Sequence, residues 1–484
     1  MPGFVRLAAL LWLVCAQSAL AQASLQPQGW KADLALPGVE DVNDDPRILE
    51  VNLRAAITRI DVGEGRVVEA WTYNGGLPGP LIRVRVGDRL VVHFKNELPQ
   101  PTTVHWHGLR IPIQSDGVPD HSQPPVLPGG TFTYDFVVPD AGLFWYHPHV
   151  MSAAQVGFGL YGPLLVEDPK EDAAIGVADE LILVLSDMGV QDDGQLESPE
   201  SGGPAGMVFG REGNRLLVNG RQGSTLVMRS GAPQRWRIVN AAKSRYFRLL
   251  LGEETFTVIG GDGGLNEYAV ERDELVLAPG ERADAVVAPK AEPGGELTLM
   301  TVPFNRGYGS VEYRAPELLL TVKVADQPRH AGFRLAPVGK SIAALNQAGA
   351  TELDVAFTLD STLTYGINGK AFAGHQALRA SVGETQIWSV TNKTRWSHPF
   401  HLHGFFFQVL DERGQPVRPM AWKDTVDIPF EKTVRFVVRF DDRPGRWMYH
   451  CHILDHADGG LMGLVDVGGT GGTHRHHETG PASE

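Results

Sequence analysis

The sequence predicts an all-β protein in which one β-domain occurs three times. Two observations carry that expectation. Glycine (56 residues) and proline (33) punctuate short β-branched runs along the 484-residue chain, and long helical periodicity is scarce. In addition, three segments repeat one spacing of turn and strand signals. The length suits about three domains, and the hydrophobic (43%) and charged (21%) shares are those of a soluble globular protein.

The N-terminus, MPGFVRLAALLWLVCAQSALAQA, has the form of a secretory signal over 1–21. It carries one basic residue (Arg6), an apolar run from Leu7 to Cys15, and Ala19-Leu20-Ala21 as a small-x-small cleavage site. Val14 before Cys15 disfavours a lipoprotein site, and no twin arginine is present, so general export to the periplasm or exterior is expected. No later stretch is long and apolar enough to span a bilayer. The net charge of −14 argues against nucleic acid or an anionic membrane as partner. It would attract cationic substrates, and it also serves solubility.

The three copies are expected at 45–170, 178–327 and 350–468, followed by a flexible tail at 469–484. In the first, Asn74-Gly75 opens a turn, and a strand starting at Gly87 ends at Asn96; in the second the same positions are Asn219-Gly220, Gly231 and Asn240; in the third they are Asn368-Gly369, Gly383 and Asn392. The register runs on for nine residues, to His105 in HWHG, Leu249 in LLLG and His401 in HLHG. The middle copy keeps the strand and exchanges the histidines for leucines. The ends of the outer copies also match, FWYHPH (144–149) with RWMYHCH (446–452), Pro148 standing where the third copy has Cys451.

Residues i and i+2 of a strand share a face and i+1 takes the other. His105 with His107, His147 with His149, His401 with His403, and His450 with His452 are therefore expected to form four pairs. These supply eight imidazoles, which can meet and hold more than one metal ion if the first and third copies pack together. Cys451 is expected to point away from its neighbours toward a second site, near His456 and His398. The only cysteines are Cys15 and Cys451, so loss of the signal leaves one thiol and no disulfide. A lone thiol in an oxidising compartment needs an occupant, and a metal ion is one. Two imidazoles and a thiolate with a weak axial position are the ligands of a blue copper centre. Zinc is the other metal to weigh, but eight paired imidazoles beside a separate thiolate site suit redox copper better.

These motifs (HWHG, HPH, HPFHLHG and HCHILDH) resemble those of the multicopper oxidases, in order and spacing, over essentially the whole mature chain. The resemblance implies three consecutive cupredoxin-like Greek-key β-sandwich domains and four copper ions. They would couple oxidation of a small reducing substrate to reduction of O2 to water. It further implies His398, Cys451 and His456 as type 1 copper ligands and His105 and His401 as type 2 ligands. His107, His147, His149, His403, His450 and His452 would hold the type 3 pair. Electrons would pass from the type 1 site through Cys451 to His450 and His452. Asp116, nine residues after His107, matches an acidic residue of bacterial members and is a candidate proton relay; as part of SDG (115–117) it also reads as a turn residue.

The chain departs from the family pattern in places. The axial position, ten residues after Cys451, is Leu461, which cannot coordinate and implies a high type 1 potential; Met462 is expected to face away. Ala457 stands where many bacterial relatives carry Glu, with Asp458 next. No Met-rich insertion interrupts the third copy, and Thr394 occupies a position that is acidic in some metal-oxidising relatives. The expected activity is a laccase-like oxidation of phenols or aromatic amines by a monomer. The alternatives are a metallo-oxidase acting on Cu(I), Mn(II) or Fe(II), and a non-enzymatic cupredoxin-fold protein, which intact ligands argue against. His93, His121, His330 and His375 read as structural or surface residues, THRHHE (473–478) as a disordered terminus, and 191–206 as a loop.

Overall fold

The computed structural model describes residues 24–468 apart from 28, 308–313 and 336. The expected signal peptide and the tail lie outside the described residues. Among the described residues no helix is long and apolar enough to cross a membrane.

Three pairs of β-sheets follow one another along the chain, each pair enclosing its own apolar core. In the first pair, Arg89–Asn96 lies between Ile48–Asp61 and Thr131–Val137, and the facing sheet runs Ile82–Arg85, Gly162–Glu167, Gly142–His147, His105–His107. In the third, Thr385–Asn392 lies between Thr351–Leu359 and Thr433–Arg439. Its facing sheet runs Leu378–Ser381, Met462–Gly468, Gly445–Cys451, His398–Leu402, Thr425–Ile428. The middle pair has six and five strands and places Gln234–Asn240 between Glu180–Met188 and Arg282–Val287.

The repeated asparagines explain why the copies fold alike. Asn74, Asn219 and Asn368 all take left-handed φ (51°, 50° and 52°), as their tight turns require. Each turns its Oδ1 to accept the same backbone N–H of the copy's first strand, at Arg54, Val184 and Ala356. Asn96, Asn240 and Asn392, all buried, end the long strand and accept from the N–H two residues on, at Leu98, Ala242 and Thr394. Their Nδ2 groups each donate to two carbonyls, one in the loop that follows the strand (Gln100, Arg245 and Trp396) and one much farther along the copy (Val126, Leu277 and Ile428). Each side chain satisfies backbone groups that a buried loop would otherwise strand.

Alternation holds where the sequence suggests it: Leu90, Val92 and Phe94 enter the first core while Arg89 and Lys95 face water. Gln234–Asn240 departs from it and is buried along its whole length. Trp236 and Ile238 fill the core, while Arg235 and Arg237 are covered on the other face by Asp172, Glu180 and Asp284. The leucines that replace the histidines, Leu249 and Leu251, are ordinary core residues with no exposed surface.

Candidate metal centres

The strand pleat sorts the candidate ligands into separate groups. His105–His107 pairs antiparallel with Gly142–His147, His105 opposite His147. His398–Leu402 pairs with Gly445–Cys451, His401 opposite His450 and Phe400 opposite Cys451. The outer copies meet face to face, and their rings stack pairwise, His105 on His403 and His107 on His401, each at 3.9 Å between centroids. The potential ligand atoms of His107, His147 and His452 lie within 4.8 Å of one another; so do those of His149, His403 and His450, and of His105, His107 and His401. All eight imidazoles are buried.

Six of the eight rings are oriented by the nitrogen they do not turn inward. His105 Nδ1 donates to the Asp116 carbonyl (2.6 Å), His147 Nδ1 to the Pro148 carbonyl (3.0 Å), His401 Nδ1 to the Asp424 carbonyl (3.0 Å) and His450 Nδ1 to the Cys451 carbonyl (2.8 Å). His403 Nδ1 donates to Asp116 Oδ2 (2.9 Å) and His107 Nε2 to Asp424 Oδ1 (3.2 Å). A ring that donates from one nitrogen presents a lone pair at the other. Those inward atoms have no partner at His105 Nε2, His107 Nδ1, His147 Nε2, His149 Nε2 and His401 Nε2, and neither nitrogen of His452 has one. His403 Nε2 and His450 Nε2 face each other at 3.1 Å, two acceptors by this assignment. Buried acceptors left in this way are costly unless a cation lies among them. Burial also holds His107, His147, His149, His450 and His452 well below the ordinary imidazole range and pushes His403 down to about 3, so these rings stay neutral as metal binding requires.

Cys451 joins neither flanking histidine. Its Sγ lies 3.4 Å from His398 Nδ1 and 3.6 Å from His456 Nδ1, and the two nitrogens are 3.0 Å apart. The centre of a triangle with those edges is about 2 Å from each corner, close to a metal–ligand bond length. All three residues have no exposed surface. Burial pushes the Cys451 thiol well up and His398 down to about 3, so the thiolate needs a positive charge beside it. The donor set of two imidazoles and one thiolate fits copper. Leu461 packs into the same apolar cluster as Cys451, whereas Met462 lies against the separate cluster of Val118, Met448 and Leu464.

Asp116 is both a turn residue and a partner of the cluster. It follows the short 3-10 turn Ile113–Ser115 and is buried. Burial would raise its carboxyl, but His403 and His105 hold it below the ordinary carboxylate range. Asp458 belongs to none of the ligand groups found among the described residues and accepts from Ala153 N–H (2.9 Å) in the first turn of the helix Ser152–Gly157. His93 pairs with Glu50, and His93, His121, His330 and His375 belong to none of the ligand groups found among the described residues.

Some of the site's residues carry no signal in the sequence. Asp424 accepts from His107 and is ion-paired with Arg282, a residue of the middle copy whose guanidinium is fully buried. Burial works against its charge, but Arg282 and the two imidazoles hold it well below the usual carboxylate range. Gly280, also of the middle copy, touches the cluster: a Cβ there would sit 3.0 Å from His107 Cε1 and from His452 Cδ2. Around the thiol site, Thr394 Oγ1 meets His398 Nε2 at 2.7 Å, and the Tyr365 hydroxyl lies 3.3 Å from His456 Nε2.

Comparison with known proteins agrees with this geometry. Family models described as multicopper oxidase match residues 56–171, 179–305 and 344–470. The chain is 32% identical to a multicopper oxidase of Mycobacterium tuberculosis over 87% of each chain, and 29% identical to a laccase of Bacillus subtilis over 82% of this chain and 90% of that one. Its fold superposes on a multicopper oxidase of Campylobacter jejuni, described as a metallo-oxidase, with a TM-score of 0.80 at 28% identity, covering 90% and 94% of the two chains. The chain belongs to the multicopper oxidases, copper-dependent oxidoreductases that use O2 as electron acceptor.

Proposed function

We propose that this enzyme oxidises phenols or aromatic amines one electron at a time at a type 1 site formed by His398, Cys451 and His456. The eight paired histidines would hold a three-copper cluster. The observation that carries this reading is the opposed facing of Cys451 and its neighbours. One sulfur serves the outer site while His450 and His452, one peptide bond away on either side, serve the inner one. Bound copper supplies the one-electron couple at the thiolate site and the four-electron reduction of O2 at the cluster. His105 and His401 would hold the type 2 ion; His107, His147 and His452 would hold one type 3 ion, and His149, His403 and His450 the other. Asp116, fixed against His105 and His403, passes protons toward the cluster. Leu461, packed in the same apolar cluster as Cys451, would offer a copper held there no further donor atom.

An organic donor fits the surroundings of the thiolate site better than a metal ion does. Its neighbouring carboxylates are already engaged: Asp455 by Arg211 and Ser244, Glu212 by Arg306, and Asp427 by the Tyr246 hydroxyl. The metallo-oxidase reading draws on the full burial of His398 and His456, which bars a large donor from touching either ring. Oxygen uptake by copper-loaded protein, with 2,6-dimethoxyphenol set against Cu(I) and Mn(II), decides between them. A higher kcat/KM for the phenol is expected, and faster turnover of either metal ion would overturn the assignment. We further propose that the three domains occupy 45–170, 178–327 and 350–468 and that the mature monomer begins at Gln22 after export. N-terminal sequencing and light scattering of the secreted protein test the start and the monomer, and limited proteolysis, expected to cut first between these bounds, tests the domains.

A further inference from the structure

We propose that electrons reach the thiolate site through Trp396 and Tyr365, and that the donor is an aromatic molecule stacked on the open part of the Trp396 ring. This rests on the assignment of His398, Cys451 and His456 as the type 1 ligands. Both histidines have no exposed surface, so a donor in solution touches neither. The outer nitrogens of both rings face protein. His398 Nε2 meets the Thr394 hydroxyl, which is itself buried and turns back to Asn392 and the Trp396 carbonyl. His456 Nε2 meets the hydroxyl of Tyr365, at 3.3 Å.

Among the described residues, only the second of these contacts continues through π-systems toward the surface. The Tyr365 ring lies 4.4 Å from the His456 ring and is fully buried. Its hydroxyl donates to the Val208 carbonyl (2.6 Å) and accepts the indole N–H of Trp396 (2.5 Å). Trp396 is half-buried, beside exposed Arg395, with Phe209 against its ring at 5.2 Å. The helix Gly203–Phe209, which supplies Val208 and Phe209, shuts the direct approach to His456 and leaves the indole as the outermost aromatic group of the chain Trp396–Tyr365–His456. An indole offers a planar face and a polar edge; here the edge is spent on Tyr365 and part of the ring on Phe209, and the half-buried remainder is the surface an aromatic donor can meet. In each transfer the phenol loses one electron and its hydroxyl proton. The proton leaves to solvent beside Trp396, the electron reduces one Cu(II) at the triad to Cu(I), and neither aromatic residue is changed.

The test is the rate at which 2,6-dimethoxyphenol bleaches the thiolate-to-copper absorption without O2, measured beside the equilibrium potential of that copper. Trp396→Ala should keep the absorption and the potential of the parent while bleaching slows about tenfold or more, since it loses both the stacking partner and the bridge. Trp396→Phe, which keeps a ring and loses the N–H, should fall between. Tyr365→Phe should lower the limiting rate without changing the phenol concentration at half-saturation. Bleaching of Trp396→Ala and Trp396→Phe at the parent rate would overturn the proposal. So would a slower rate accompanied by a moved potential, because the effect would then lie in the copper site. A parent protein that takes up copper without the thiolate absorption would instead refute the ligand assignment on which the proposal rests.

Discussion

At the scale of the residue, the chemistry turns on what surrounds each donor atom. Cys451 is held between two neutral imidazoles, and Ile453 N–H points at its sulfur from 3.4 Å. Leu461 closes the same apolar cluster. A thioether in its place would donate electron density and stabilise Cu(II), so Leu461→Met should lower the type 1 potential; a redox titration that gives an unchanged or higher value would contradict the axial assignment. Asp427 offers a pH test. Burial raises its carboxyl to about 7, although Tyr246 donates to it. An unfolded Asp titrates near its ordinary value, so the stability this group contributes is fully present below about 4 and is lost as pH rises through about 7. Copper-free Asp427→Asn should therefore gain stability relative to the parent between pH 5 and pH 9, as read from urea midpoints. A constant difference between the two would mean that the carboxyl is not held neutral. The candidate ligands were legible from spacing and from the family resemblance. Asp427, Tyr365 and Asp424 were not, because each acts through contacts with residues far away in the chain.

At the scale of the element, the strand pleat does most of the work, and its period of two residues is visible in any sequence. Alternation alone therefore divides His450, Cys451 and His452 between two faces of the strand. The repeated asparagines mark strand ends for the same local reason. The segment 191–206, expected to be a loop, instead runs into the helix Gly203–Phe209, with Pro204 in its first turn. Val208 is buried and its carbonyl accepts from Tyr365, so tertiary contacts stabilise a helix too short to form alone. The turn at Gly280 is the middle copy's point of entry to the cluster. Its φ of +89° and its contact with two ligand rings both exclude a side chain. Gly280→Ala should cost about 1–3 kcal/mol of stability and displace His107 and His452. Copper content should drop while the thiolate absorption persists; full copper content with parental stability would show that the turn tolerates a side chain.

At the scale of the whole molecule, the middle copy is a brace. It binds no metal through its own Leu-x-Leu strand, yet Arg282 pairs with Asp424, and Arg211 holds Asp455 on the helix that follows the thiolate ligand. Asp262 and Glu281 extend the network to Lys423 of the third copy. Removing one partner of a buried ion pair costs more than the pair is worth, because the other charge stays behind. Arg282→Leu should destabilise the copper-free protein by about 3–5 kcal/mol and loosen His107 and His401, so that urea midpoint and copper content fall together. A midpoint equal to the parent's would mean that Asp424 finds another partner or takes a proton. The repeat made three domains legible, and paired histidines in the outer two made their meeting legible. The bracing role of the middle one was not, since single arginines and aspartates carry no spacing signal.

The sequence by itself determined the candidate ligand residues, the facing that separates Cys451 from the paired histidines, and the threefold β-repeat, because all three follow from local periodicity of the backbone. Only the tertiary structure decided which nitrogen of each imidazole stays free, which carboxylates and guanidinium hold the rings, and that both histidines of the thiolate site lie behind Tyr365, Thr394 and a short helix. Those features depend on burial and on contacts between residues up to hundreds of positions apart, where hydrogen-bond partners are set by geometry and leave no pattern in the chain.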